Sequence, residues 1–96
     1  GYGAAAKGMT FLNFADVQLD VIIDDNKLKQ GLNTPGTNIP IKSIDHLKSY
    51  NENEKIVYLP LAWNFYDEIQ SRILEVRDNP RDCFLRYFPK VKLEKR

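Results

Sequence analysis

The sequence predicts a small α/β domain with a Rossmann-like, doubly wound and mainly parallel sheet that is flanked by helices. A glycine-rich turn at residues 1–3 leads directly into apolar residues at helical spacing. Continuous β-branched and apolar runs follow at residues 20–25, 55–59 and 82–88, and an amphipathic helical pattern at 62–77 separates the last two. Because strands that alternate with helices join through right-handed crossovers, this order favours a parallel sheet.

The first helix is predicted over residues 4–15. Its apolar residues fall on one helical face: Ala4, Gly8, Phe11, Leu12 and Ala15. A glycine turn that opens a helix normally follows a strand, and in doubly wound sheets that strand is central. We therefore expect the first strand to be largely missing at the N-terminus. We also expect residues 1–96 to form one domain cut from a longer enzyme.

The next elements alternate between buried strand and polar loop. Residues 20–25 are predicted to form a strand that is buried on both faces, as parallel sheets prefer. Residues 26–38 form a long polar loop, and long loops inside small domains are usually functional. Residues 39–41 fit an edge strand because they contain a proline. Ser43 is then placed to cap a brief helix that ends at Leu47.

The C-terminal half contains the clearest helix. Residues 55–59 predict another buried strand, and residues 62–77 predict a helix with one apolar stripe. The stripe consists of Tyr66, Ile69, Ile73 and Val76. Asn79 and Pro80 end this helix, and a last strand at 82–88 is closed by Pro89. The basic run at 90–96 is interpreted as a solvated tail.

Composition excludes several function classes. The chain has 14 Lys and Arg against 13 Asp and Glu, a formal net charge of +1, so no long-range field attracts nucleic acid. No apolar run is long enough to span a membrane, and no signal peptide opens the sequence. The only cysteine, Cys83, excludes an internal disulfide and a cysteine-built zinc site, and it is predicted to be a buried small residue. The default compartment is the cytoplasm.

The opening residues match a weak dinucleotide fingerprint. Gly1, Gly3 and Ala6 fit G-x-G-x-x-G/A, and Asp24 or Asp25 follows at about 20 residues. Glycines let the backbone approach a diphosphate, and a helix N-terminus offers unpaired N–H groups. The same pattern also serves a tight turn with close helix–strand packing, so both interpretations stay open.

Three segments together resemble the C-terminal domain of the sugar C-methyltransferase family. These segments are GYGAAAKGMTFLN, DDNKLKQGLNTPGTNIPI and LAWNFYDEI, in the order of the family and covering residues 1 to about 69. The resemblance implies an S-adenosylmethionine-dependent transferase that methylates a carbon of a nucleotide-activated deoxy-ketosugar, most often a thymidine diphosphate sugar. It also implies that a zinc-binding and an S-adenosylmethionine-binding domain belong to the same longer chain, and that the C-terminal domain helps to enclose the nucleotide sugar. This chain has no methyl-donor loop of the acidic-G-x-G-x-G type, so we assign it no catalytic residue, no metal and no cofactor of its own, and we expect the isolated domain to be inactive.

The matched segments supply the predicted substrate-binding residues, which would meet at the carboxyl ends of the strands. They are Tyr2, Gly3, Lys7 and Gly8 at the glycine turn; Asn26, Lys29, Gln30, Gly31, Pro35, Gly36, Thr37 and Asn38 in the long loop; and Trp63, Asn64 and Glu68 at the start of the long helix. Lys7 or Lys29 would pair with the diphosphate, and Trp63 would stack on a base or sugar. A solvated charge at Lys29 and a packing role for Trp63 are the competing interpretations.

Two positions limit the chemistry. The family often has histidine where this chain has Asn38, and asparagine cannot titrate near neutrality, which argues against proton transfer there. His46 lies outside the matched segments and is expected to be exposed. The alternatives to the methyltransferase interpretation are a dinucleotide-binding module of the NAD type, with Asp24 or Asp25 on a ribose, and a non-catalytic interdomain scaffold.

Overall fold

The first strand of the computed structural model, β1 (Ile22–Ile23), lies in the β-branched run predicted to be a buried strand, and both of its residues are buried. The structure describes residues 1–3, 19–34, 38–61, 63–86 and 92–95. The helix predicted over residues 4–15 and Pro89 lie outside these residues.

The second strand, β2 (Ile41–Lys42), runs parallel to β1, with Ile22 opposite Ile41. The preceding loop returns along the other side of β2, because Gly31 N–H donates to the Ile41 carbonyl at 2.9 Å and Ile41 N–H donates to the Leu32 carbonyl at 2.8 Å. A strand is therefore present near residue 40, where the sequence predicts an edge strand. The described residues 26–34 and 38 form turns and loop, as predicted, and part of this loop hydrogen-bonds to β2.

Residues 1–3 connect the two sheets of the structure. Tyr2 forms parallel bridges to Ile23 on one side and to Pro60 on the other. Tyr2 N–H donates to the Leu59 carbonyl and Gly3 N–H donates to the Ile23 carbonyl, at 2.9 and 2.7 Å. Gly3 has a φ of 91°, which is costly for a residue with a side chain.

The second sheet is mixed. Strand β3 (Val57–Tyr58) runs parallel to β4 (Cys83–Arg86), and β4 pairs antiparallel with β5 (Lys92–Lys95). The interpretation of residues 90–96 as a solvated tail is therefore wrong for β5. The structure is a small α/β fold with a two-stranded parallel sheet and a three-stranded mixed sheet.

The helices differ from prediction mainly at their N-terminal ends. Residues Ile44–Ser49 form a 3-10 helix, and Ser43 precedes it without a side-chain capping hydrogen bond, so the predicted cap is wrong. The long helix begins as a 3-10 turn over Trp63–Phe65 and continues as helix α1 (Tyr66–Val76). Its buried residues are Tyr66, Ile69 and Ile73, which confirms most of the predicted apolar stripe.

Apolar residues cover both faces of the strands. Successive strand residues point to opposite faces, so Ile23 and Tyr58 pack with helix α1 whereas Ile22 and Leu59 pack on the other side. The predicted strand at 55–59 is less buried than expected, because Val57 is half exposed. The carboxyl ends of the strands are left at one edge of the fold, beside the start of α1.

Candidate functional site

A cavity of about 200 Å³ lies at the carboxyl ends of the strands, where Gly3 ends the first segment and Asp24 and Asp25 follow β1. It is lined by Tyr2, Gly3, Asp24, Asp25, Phe65, Glu68, Ile69 and Arg72. Three of these, Tyr2, Gly3 and Glu68, are among the predicted substrate-binding residues, and the structure brings them together. Ligands of open α/β sheets bind at this edge, so the cavity is the candidate site.

Tyr2, Asp25 and Arg72 form the charged centre of the cavity. The Tyr2 hydroxyl donates to both carboxylate oxygens of Asp25, at 2.9 and 2.8 Å, and an Arg72 nitrogen lies 3.0 Å from one of them. Burial raises the pKa of the Tyr2 phenol above its ordinary value, and the hydrogen bond to Asp25 raises it further. Tyr2 therefore stays protonated near neutral pH and donates to the carboxylate, which fixes the orientation of Asp25.

Asp24 organises the first turn of the long loop. One of its carboxylate oxygens accepts the Asn26 backbone N–H at 2.8 Å, the other lies 4.0 Å from the Lys29 ammonium, and its backbone carbonyl accepts the Gln30 side chain at 2.8 Å. Three predicted loop residues are thus gathered around Asp24 at the rim of the cavity, two at its carboxylate and one at its backbone carbonyl. The side chain of Lys29 is 41% exposed, so it remains accessible to solvent in this position.

Two other predicted loop residues lie in the turns that hold the loop against β2. Gly31 and Asn38 both have positive φ angles, of 85° and 55°, a conformation that glycine and asparagine adopt most readily. Asn38 accepts a hydrogen bond from the Asn33 side chain at 2.9 Å and is exposed. The observed contacts of these two residues are therefore those of a turn.

The helix side of the cavity contains residues that the sequence analysis did not select. Phe65, Ile69 and Arg72 line it together with the predicted Glu68. Their spacing of three and four residues puts them on one face of a helix, and that periodicity is the signal that identifies them. The predicted Asn64 is exposed in the 3-10 turn, and only the backbone of Trp63 is described. Lys7, Gly8, Pro35, Gly36 and Thr37 lie outside the described residues.

The opposite, amino edge of the second sheet has a buried ion pair. Asp82 receives the Arg77 Nε at 2.9 Å, the Ile56 backbone N–H at 3.0 Å and the Tyr58 hydroxyl at 3.2 Å. Arg77 also donates to the Glu54 backbone carbonyl at 2.6 Å. Hydrogen bonding to Asp82 raises the pKa of Arg77. Because these partners join α1, β3 and the loop before it, the pair has a structural role.

His46 is half-buried and packs edge-on against Tyr50, with ring centroids 5.3 Å apart, so the prediction of an exposed histidine is wrong. Within the described ranges, no group of three or more His, Cys, Asp or Glu is arranged to hold a metal ion. No helix among those same residues has the length and apolar character needed to cross a bilayer.

Alkaline pH is expected to destabilise the fold through its buried tyrosines. Burial raises the pKa of both Tyr2 and Tyr58 above the ordinary 10.0, and Asp25 and Asp82 contribute in the same direction. The unfolded chain ionises these phenols first, so their contribution is complete below pH 10 and is lost as the pH rises above it. The free energy of unfolding should fall by roughly 2 kcal/mol between pH 9 and pH 11.

Urea unfolding followed at both pH values measures this loss. The variant Tyr58→Phe has no phenol to ionise at that position, so its loss of stability over the same interval should be smaller by roughly 1 kcal/mol. An equal fall in the variant and the parent chain would contradict the assignment to Tyr58.

A comparison with known protein families identifies a match that covers most of the chain. The family model described as the C-methyltransferase C-terminal domain matches residues 1–89 and so includes every described residue of the candidate site. No curated protein sequence matches the chain.

Proposed function

Because the chain belongs to the C-methyltransferase C-terminal domain family and is thus a methyltransferase-associated domain, we propose that it forms the nucleotide-sugar-binding part of a longer S-adenosylmethionine-dependent transferase. The longer enzyme would methylate a carbon of a nucleotide-activated deoxy-ketosugar, with a thymidine diphosphate sugar as the first candidate. S-adenosylmethionine and a structural zinc ion would be bound by other domains of that chain. The isolated domain would then bind substrate without transferring a methyl group.

The observation that carries this proposal is the cavity beside the glycine turn. Its polar groups converge from three separate elements: Tyr2 from the first segment, Asp25 after β1, and Glu68 and Arg72 from α1. A concave site with a few convergent polar groups at the carboxyl edge of a sheet is typical of ligand binding.

We further propose that the two sheets belong to one doubly wound sheet with residues 1–3 at its centre. The parallel bridges of Tyr2 to Ile23 and to Pro60 support this order. A second cavity, of about 490 Å³, extends from Gly1 between Val21 and Val57, in line with residues 1–3. An extended segment of the longer enzyme, parallel to β1 and β3, would fit between these strands and complete the central strand.

The test is an amide chemical-shift titration of the 96-residue chain with thymidine diphosphate, NAD and S-adenosylmethionine in parallel. Saturable shifts at Gly3, Asp25 and Glu68 with thymidine diphosphate alone are expected. The same cavity would accept a dinucleotide if Asp25 bound a ribose hydroxyl, so saturable NAD binding would favour the dinucleotide module instead.

The remaining outcomes contradict the proposal in distinct ways. Saturable binding of S-adenosylmethionine would place the methyl-donor site in this domain. An absence of shifts with all three ligands would indicate an interdomain scaffold. A Glu52→Gln variant, altered at the opposite edge of the fold, should give the same titration as the parent chain.

A further inference from the structure

The charge and shape of the 200 Å³ cavity identify which part of a ligand enters it. Three carboxylates, those of Asp24, Asp25 and Glu68, line it against one guanidinium, that of Arg72. Even with Lys29 at the rim, negative groups outnumber positive ones among the described residues. A phosphate would be repelled by this arrangement, because like charges at close range disfavour each other in a partly buried site. The cavity therefore favours a neutral group rich in hydrogen-bond donors.

Asp25 has acceptor capacity left for such a group. An ionised carboxylate offers about four lone-pair positions. Within the described ranges two groups donate to it, the Tyr2 hydroxyl and the Arg72 guanidinium, and its side chain is 41% exposed. Glu68 is exposed and has no hydrogen bond or ion pair within the described part of the chain. Both carboxylates can therefore accept hydroxyl groups from a ligand.

Phe65 provides the apolar side of the same cavity. It is 54% exposed although it is a large aromatic residue, and it lies one residue before helix α1. The C–H face of a sugar ring is apolar whereas its edge carries hydroxyls, so an exposed aromatic ring beside carboxylates matches both sides of such a ring. A pocket for a whole drug-sized ligand has roughly 300–1,000 Å³. The volume here is sufficient for one ring of a larger molecule.

From these observations we infer that the cavity binds a hydroxyl-bearing sugar ring of the ligand, stacked on Phe65 with its hydroxyls donated to Asp25 and Glu68, and that the diphosphate lies outside it. The inference rests on the proposed function and names the part of the substrate that this site selects. The ring is the hexose or the pentose of a nucleotide sugar, and the two are separated by experiment.

The experiment is calorimetric titration of the 96-residue chain with thymidine diphosphate glucose, thymidine diphosphate and inorganic pyrophosphate. The variant Phe65→Ala should weaken binding of the nucleotide sugar about tenfold, and Phe65→Tyr should retain it. Leu93→Ala is the matched control, since Leu93 is 56% exposed on β5 and does not line the cavity. It should leave the affinity unchanged.

The second part of the experiment neutralises the carboxylate of Asp25. Asp25→Asn should weaken binding of the nucleotide sugar about tenfold because charge-assisted hydrogen bonds are lost. Glu52→Gln makes the same change in net charge at the opposite edge and should have no effect. A loss confined to thymidine diphosphate glucose assigns the hexose to the cavity, and an equal loss with thymidine diphosphate assigns the pentose.

The contradicting results are specific. Tighter binding of pyrophosphate and of the nucleotide sugar by Asp25→Asn would show that a phosphate occupies the cavity. Equal affinities of Phe65→Ala and Leu93→Ala for the nucleotide sugar would exclude stacking on Phe65. Either result overturns the inference while the parent chain still binds the nucleotide sugar, so the proposed function stands. Failure of the parent chain to bind any of the three ligands overturns both.

Discussion

Replacement of Asp82 by asparagine is expected to lower the free energy of unfolding by about 3 kcal/mol, a large share of the stability of a domain of this size. Only 1% of the Asp82 side chain is exposed, and 8% of that of Arg77. The substitution removes the negative charge and leaves the guanidinium buried without its counter-ion. The three groups that donate to Asp82 come from α1, β3 and the residue before β3, so the loss would loosen the amino edge of the second sheet.

Urea unfolding at pH 7 measures this effect, and an exposed ion pair provides the control. Asp45 and Lys48 lie 3.5 Å apart with side chains that are 73% and 67% exposed. Because exposed pairs are well solvated, Asp45→Asn should change stability by less than about 0.5 kcal/mol. Similar losses for the two variants would mean that the buried pair is no stronger than a surface pair. The candidate site lies at the other edge of the sheet, so any folded fraction of Asp82→Asn should bind ligand normally.

The parts of the fold that could be predicted from the sequence are those in which local pattern and burial agree. The run around Ile22 and Ile23 is apolar without alternation, and both faces of β1 are indeed covered. Tyr66, Ile69 and Ile73 recur at helical spacing, and they form the buried side of α1. In both cases the residue pattern that predicts the element lies within that one segment of the chain.

Other parts of the fold could not be predicted from the sequence. They depend on pairing between distant segments, or they lie where two sequence patterns favour different structures. Strand β5 has three charged residues and a single leucine, and its excess of lysine favours a solvated tail. In the structure Glu94 accepts a hydrogen bond from Arg86 of β4 at 2.8 Å, a contact between strands that the local sequence does not indicate. The return of the loop along β2 rests on backbone bonds of Gly31 and Leu32, and backbone bonds leave little trace in side-chain chemistry.

The candidate site could be predicted only in part. The glycine turn and the start of the long helix were expected to meet, and Tyr2, Gly3 and Glu68 line the same cavity. Arg72 also lines the cavity, although it was not among the predicted substrate-binding residues. Its relation to Asp25, across 47 residues of sequence, becomes visible only when β1 and α1 are packed together.

The same substitution at two phenylalanines should separate stability from binding. Phe84 has no exposed surface, stacks on Tyr58 with ring centroids 4.8 Å apart and meets Tyr66 edge-on at 6.2 Å. Phe84→Ala removes these contacts and leaves a cavity between β4 and α1, so the free energy of unfolding should fall by roughly 3–5 kcal/mol.

Phe65→Ala removes an equal number of atoms from a half-exposed ring, so its stability should stay within about 0.5 kcal/mol of the parent chain. Urea unfolding of the two variants, combined with titration of the nucleotide sugar, measures both properties on one preparation. We expect Phe84→Ala to lose stability and Phe65→Ala to lose affinity. A large loss of stability in Phe65→Ala would mean that its ring supports the start of α1, and its effect on ligand binding would then have to be judged from Phe65→Tyr, which keeps the ring.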